Sequence, residues 1–342
     1  MVYLSIAVAS FLLSLCLMPV VRWLAFRAGL FDLPDHQLKS HARPTPRLGG
    51  VAIFCSIVLV LAAARFLTHY PTGTISNFRY ILLGAVIIFT LGLIDDTRPG
   101  GVPYRWKFIF QFLAAGVLMV ASIHIQFLHP NYLAVFLSLL WVVGVANSIN
   151  LIDILDGLAA TQVAIAAASF LAISFPSEDV LVNILAAAIL GSTIGFLPHN
   201  LSSRKKVFMG DAGSLTLGYL LAVLALGSSY STYNPYAVYA PILILGVPIF
   251  ETFFLMYIRT KQGLSPFRGS RDHIAHRLQA LGFSEEKIVL VMGAATLAFS
   301  MVAYLITQVT EPIVAALIYG ALIATLFIIA WGLTKIKPKP IS

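Results

Sequence analysis

Charged side chains are scarce: Asp, Glu, Lys and Arg make up 11% of the 342 residues, against about 25% in a soluble domain. That scarcity excludes an ordinary water-soluble fold. A hydrophilic stretch long enough for a separate soluble domain is also missing, so residues 1–342 read as a single integral membrane domain. Cysteine is nearly absent too. Cys16 and Cys55 both sit inside apolar runs and read as small hydrophobes, which argues against a disulfide or a thiolate–metal site. The first apolar run has no basic residue before it, and Arg22 and Arg27 follow it. That order is expected of a first membrane helix with its N-terminus outside, not of a cleaved signal peptide.

What is plentiful is apolar sequence, at 59% of residues and a mean hydropathy of +0.91. Apolar runs near the length of a spanning helix recur at roughly 2–21, 48–68, 79–94, 108–128, 132–148, 158–175, 179–197, 213–230, 236–258, 288–307 and 312–333. The expected fold class is all-α: a polytopic integral membrane protein of about 11 transmembrane helices.

Lys and Arg set the expected sidedness. Of the 22, 20 fall in 22–47, 95–107, 198–212, 259–287 and the tail, which lie on one side of that pattern. The positive-inside rule makes this side cytoplasmic, with the N-terminus out and the C-terminus in. The net charge of +8 then reflects topology and attraction to anionic lipid. No nucleic-acid partner is implied.

Acidic residues contribute little to orientation, yet six of the nine aspartates and five of the eight histidines share those segments, and Asp153 and Asp156 fall in the loop between the fifth and sixth expected spans, on the same side. This suggests a polar site built from several loops on one membrane face. Asp95 and Asp96 close the third expected span, where carboxylates oppose the helix dipole. Arg98, Arg105 and Lys107 follow and could hold phosphate oxygens. Asn150, Asp153 and Asp156 recur every three residues and would share a face if helical. Gly157 would permit close approach of backbone or ligand. Capping of the sixth span by Asp156 would leave Asn150 and Asp153 unexplained.

The run Phe208-Met209-Gly210-Asp211-Ala212-Gly213-Ser214 leads into the eighth span. Asp211 could cap it, and such a glycine-flanked helix start also suits phosphate. Asn200 lies upstream. His273 and His276 sit among Arg268, Arg271 and Arg277, which fits recognition of an anion. Zinc is the rival there, but no Cys or third His keeps suitable spacing. Glu251, inside the ninth span, is either a functional intramembrane acid or a buried hydrogen-bonding partner. The donors are mostly carboxylate oxygens, which favour a hard cation. Magnesium, with manganese as an alternative, takes one or two carboxylates and fills its shell with water and phosphate. The membrane setting points to a lipid substrate.

These motifs resemble a known group, the polyprenyl-phosphate N-acetylhexosamine-1-phosphate transferases. It includes the enzymes that initiate O-antigen, enterobacterial common antigen and teichoic-acid linkage units, and the phospho-MurNAc-pentapeptide translocase. The likeness runs from about residue 29 to 280 in the same motif order, with a similar number of spans. Asp32-Leu33-Pro34, Lys39-Ser40-His41 and Pro44-Thr45-Pro46-Arg47-Leu48-Gly49-Gly50 look like its first signature. Asp95-Asp96 with Lys107 looks like its aspartate pair and downstream lysine. Asn150 to Ala159 is similar to its Asn-Leu-x-Asp-Gly-x-Asp-Gly-Leu block, with Ile154 in place of a glycine. Phe208 to Ser214 looks like its metal-aspartate motif. His273 and His276 keep two positions of its His-x-His-His motif, with Ala275 in place of a third.

The resemblance implies that a UDP-N-acetylhexosamine and polyprenyl phosphate react with magnesium to give a polyprenyl-diphospho-sugar and UMP. It implies metal binding by Asp211 and Asp156. Asp95, with Asp96 beside it, would deprotonate or position the lipid phosphate. Lys107, Arg43, His273 and His276 would stabilise phosphate charge. Asn150, Asp153, Asp156, Gly157, Asn200, Lys39 and Arg43 would serve the nucleotide and cofactor side. A bacterial inner (plasma) membrane, a cytoplasmic active site and a homodimer are further expectations. The translocase's longer histidine-rich signature is absent, so the muramyl-pentapeptide substrate is the alternative. An intramembrane prenyltransferase would need a second Asp-rich motif, and Asp95-Asp96-Thr97-Arg98-Pro99 lacks the later aspartate. A transporter would place its acids nearer mid-membrane.

Overall fold

The computed structural model describes residues 1–32, 44–67, 74–176, 179–227, 234–266 and 270–338. Lys39 and Arg43 lie outside these. The helices are α1 Val2–Arg27, α2 Gly49–Leu67, α3 Thr74–Thr97, α4 Tyr104–Val120, α5 Asn131–Ile152, α6 Leu158–Ser174, α7 Val180–Asn200 and α8 Gly210–Gly227. A 3-10 turn, Pro235–Tyr239, then leads into α9 Ala240–Ile244, α10 Gly246–Lys261, α11 Ile274–Ala280, α12 Glu285–Gln308 and α13 Pro312–Thr334. Two short strands, β1 Phe31–Asp32 and β2 Thr45–Pro46, pair antiparallel with Phe31 opposite Pro46.

The protein is an all-α, polytopic membrane protein. Among the described residues eight helices are long and apolar enough to cross a membrane: α1, α2, α3, α5, α7, α8, α12 and α13. The segment 236–261 makes up to nine, but it is bent by 72°. α4 and α6 have 17 residues each and fall short of that length.

Two expected spans therefore differ in shape. The ninth, expected to be continuous over 236–258, breaks at Leu245. Pro248 has no N–H to give Ile244, and a proline ring there crowds that carbonyl, which favours a break at this point. The fourth, expected over 108–128, stops at Val120. Ser122 turns left-handed (φ 57°) and the Ile123 N–H returns to the Leu118 carbonyl (3.0 Å). This is a helix stop of the kind glycine usually makes, here without glycine.

α7 and α8 form the centre, each with 72% of its apolar window buried, whereas α13 has 6%. α1 lies against α7 where Gly191 and Gly195 face the backbone of Ala7 and Phe11 with no room for a Cβ. Such small-residue pairs let membrane helices approach closely. α8 is wedged between α3 and α5. Tyr219 donates to the Ile81 carbonyl of α3 (3.3 Å), and Gly218 lies against Ala146 of α5. This wedge brings the C-terminal ends of α3 and α5 to the N-terminus of α8.

Candidate active site

The first turn of α8 has amides with no partner inside the helix. Asp96, at the end of α3, supplies acceptors for two of them: the N–H of Asp211 (2.8 Å) and of Ala212 (2.9 Å). The expected dipole conflict of the aspartate pair is thus offset, because Asp96 sits at the positive end of another helix. It also displaces the reading of Asp211 as the cap of its own helix. Gly210 enters α8 with φ 72°, and a Cβ there would collide with the Arg47 carbonyl. Asp211 is left free to turn toward the cavity.

Lys107, from the first turn of α4, joins two carboxylates. Its Nζ lies 2.8 Å from Asp95 Oδ2 and 2.7 Å from Asp211 Oδ2. Asp95 Oδ1 accepts the Val102 N–H (2.5 Å). Asn150, in the last turn of α5, donates to Asp211 Oδ1 (3.0 Å) and to Ser214 Oγ (2.9 Å). Residues distant in sequence, Asp95, Lys107, Asn150 and Asp211, are therefore one hydrogen-bonded cluster.

The three-residue periodicity of Asn150, Asp153 and Asp156 does not describe a helix face. α5 ends at Ile152, Asp153 caps its C-terminus (φ −79°, ψ 59°), and 153–157 is a turn. Gly157 closes that turn in the left-handed region (φ 78°) and precedes α6. Asn200, at the buried end of α7, accepts the Gly157 N–H (2.6 Å) and donates to the Val207 carbonyl (3.0 Å). It shapes the turn rather than facing open solvent. Asp156 pairs with Lys206. Burial pushes the Asp153 carboxyl up to about 7, and the Asp211 and Asp156 carboxylates add to the rise.

A cavity of about 390 Å³ lies over this cluster. Asp96, Asn150, Asp153, Asp156, Asn200, Lys206, Asp211 and Glu285 are among the residues that line it, with Asp32 and Arg47, which form an ion pair, at its rim. Lys206 and Glu285 were missed by sequence reasoning. Lys206 sits in a basic loop counted only toward orientation, and Glu285 reads as an ordinary first-turn acid of α12.

His273 and His276 form a separate group and do not line that cavity. Their rings meet edge to face at 5.9 Å. Glu251, fully buried in α10, accepts the Ile274 N–H at 3.1 Å and lies 3.0 Å from His273 Nδ1. Glu251 thus makes the contacts of a buried hydrogen-bonding acid. Burial lowers the pKa of His276. Arg277 holds α11 to the chain end, donating to the Leu333 carbonyl (3.0 Å) and to that of Ile336.

Among the described residues no three His, Cys, Asp or Glu side chains converge as a metal cage. The donors on the cavity are carboxylate and amide oxygens, the set a hard cation takes when water and phosphate complete its shell.

A membrane-embedded helix bundle with a carboxylate–lysine–amide cluster at one end is the class that fold and site define. Residues 78–229 match the family described as Glycosyl transferase family 4. The chain is 34% identical over 348 residues to a probable undecaprenyl-phosphate N-acetylglucosaminyl 1-phosphate transferase of Bacillus subtilis, covering 98% of this chain and 94% of that protein. It is 31% identical over 304 residues to the decaprenyl-phosphate N-acetylglucosaminephosphotransferase of Mycobacterium tuberculosis, covering 80% and 74%. An undecaprenyl-phosphate alpha-N-acetylglucosaminyl 1-phosphate transferase of Yersinia pestis is 27% identical over 302 residues, covering 84% and 80%. The chain belongs to glycosyl transferase family 4, among the polyprenyl-phosphate N-acetylglucosamine-1-phosphate transferases, and is an enzyme of that kind.

Proposed function

We propose that this chain transfers N-acetylglucosamine-1-phosphate from UDP-N-acetylglucosamine to polyprenyl phosphate, giving polyprenyl-diphospho-N-acetylglucosamine and UMP, and so initiates a cell-envelope glycan. The observation that carries this reading is Lys107 held between Asp95 and Asp211, the latter a lining residue of the cavity. Joining two phosphates means bringing one anion onto another, and a lysine among carboxylates, beside a cation site, suits that task.

The lipid phosphate, a monoester with a second pKa near 6, is already largely ionised at neutral pH, so Asp95 has more to position than to deprotonate. Lys107 offsets charge on the phosphates. Asp211 and Asp156 would hold magnesium, with water and substrate phosphate completing its shell and Asp153 nearby, and the ion would supply charge neutralisation and alignment of the transferred phosphoryl group. Asn150 fixes the Asp211 carboxylate by its own hydrogen bond. His273 and His276 would meet the donor's diphosphate from the α11 side. The cavity faces the cytoplasm of a bacterial inner membrane in this reading, with eleven crossings that include α4 and α6.

The test uses membranes containing the protein, magnesium, undecaprenyl phosphate and a panel of UDP-sugars. UMP and lipid-linked product are expected with UDP-N-acetylglucosamine. Asp211→Asn and Asp95→Asn should each abolish magnesium-dependent UMP release while leaving the protein folded. No UMP with any sugar in the panel refutes the reading, and near-normal release by either variant refutes that residue's role.

A further inference from the structure

Glu251 is fully buried within the apolar segment 236–261, on α10. A carboxylate alone in such surroundings is costly to hold, and the cluster of Asp95, Lys107, Asn150 and Asp211 makes no use of it. Its partners lie 22 and 23 residues further along the chain. Oε1 lies 3.0 Å from His273 Nδ1 and accepts the Ile274 N–H at 3.1 Å, and Oε2 accepts the same N–H at 3.3 Å. Arg259 and Arg277 stand near enough for their charges to act with that of Glu251, but both are engaged elsewhere. Arg259 donates to the Pro266 carbonyl (2.7 Å) and to Ser270 Oγ (3.0 Å), and Arg277 to the Leu333 carbonyl (3.0 Å). Among the described residues, His273 is therefore the side chain hydrogen-bonded to the Glu251 carboxylate.

An ionised carboxylate only accepts, so this contact places a ring proton on Nδ1. Among the described residues no hydrogen bond engages Nε2, which is left as the working nitrogen. A carboxylate so placed fixes the tautomer of a histidine, holds its ring in one orientation and stabilises the imidazolium when it forms.

We propose that Glu251 is a positioning residue for the transfer reaction: it holds His273 by Nδ1, so that Nε2 presents to the donor's diphosphate and offsets the charge that builds as UMP leaves. The proposal rests on the reading of His273 given above. It gives a buried acid outside the cavity a part in the reaction, exerted through one ring. The competing role is structural, a cap on the first amide of α11.

Glu251→Gln keeps an acceptor oxygen for the Ile274 N–H and a polar group at Nδ1 but removes the charge. His273→Asn sets its amide where Nδ1 stood and remains a good helix-starting residue, with nothing at the Nε2 position. His273→Gln reaches that position. In the UMP-release assay kcat should fall about tenfold in Glu251→Gln and about 100-fold in His273→Asn, with the KM for undecaprenyl phosphate unchanged. The double variant should be no slower than His273→Asn alone, whereas independent roles would multiply to about 1,000-fold. Wild-type kcat in Glu251→Gln, or the multiplied loss in the double variant, overturns the proposal.

The His273 pair keeps the test open should Glu251→Gln fold poorly. His273→Gln is expected to retain more activity than His273→Asn at a similar unfolding midpoint. Equal activity of the two would remove Nε2 as the working atom and the proposal with it. Lack of UMP release by the wild type would instead refute the transferase reading itself.

Discussion

At the scale of single residues, Asp95 and Asp96 are neighbours with different partners. Asp96 gives both oxygens to the first-turn amides of α8, while Asp95 takes Lys107 and the Val102 N–H. Asp96→Asn leaves one acceptor and turns an NH2 group toward an amide N–H. The expected cost is about 1 kcal/mol of stability, read as a lowered thermal unfolding midpoint in detergent. Asp95→Asn should unfold as the wild type does yet fail in the UMP assay. Equal midpoints for Asp96→Asn and wild type would show that the cap contributes little.

Asp153 adds a pH dependence. Its carboxyl, raised by burial and then by Asp211 and Asp156 to about 7, carries a proton below that pH. A divalent cation favours the ionised form and must displace the proton. Apparent magnesium affinity should therefore climb as pH rises to about 7 and level off above it. Magnesium titrations of activity at several pH values check this. Asp153→Asn should flatten the dependence, and an unchanged slope would remove Asp153 from the cation's surroundings.

At the scale of elements, the sequence was legible where a polar residue interrupts an apolar run. Asp95, Lys107, Asn150 and Asp211 stand out on that ground, and the fold joins them into one cluster. Less legible was which helix each residue serves. Asp211 has the spacing of an N-cap, yet the cap comes from Asp96, 115 residues away, and no local pattern encodes that junction. Likewise Asn150, Asp153 and Asp156 have helical spacing, but Gly157 ends the pattern by turning left-handed. Gly157→Ala tests the turn. A Cβ at φ 78° would be strained and would meet Leu201, at about 1 kcal/mol or more. The expected outcome is a modest fall in unfolding midpoint with a larger fall in UMP release, because Asp153 and Asp156 shift together. Activity that falls only in step with stability would argue that the turn does not position them.

At the scale of the whole molecule, composition established the membrane class, and the asymmetry of Lys and Arg gave the expected sidedness. The break at Leu245 and the early stop of α4 were hidden. Pro248 looks the same in a kinked and a broken helix, and Ser122 is not a residue that announces a stop. Sidedness itself can be tested in a background with Cys16 and Cys55 replaced by alanine. Gln126→Cys and Ser203→Cys lie on exposed residues at opposite ends of the span pattern. A membrane-impermeant maleimide added to intact cells should label the first and spare the second. The reverse labelling would invert the orientation, and labelling of both would disprove the crossing count between them.

The seam between α3 and α8 has a consequence for motion. First-turn amides ordinarily exchange their hydrogens with solvent early, since no carbonyl of their own helix holds them. Those of Asp211 and Ala212 are held by Asp96 across the seam. Their deuterium uptake should be as slow as that of mid-helix amides, while neighbouring loops exchange freely. The acceptor side and the cation side of the site would then keep a fixed spacing through each turnover, and whatever opens to admit the two substrates lies outside that seam.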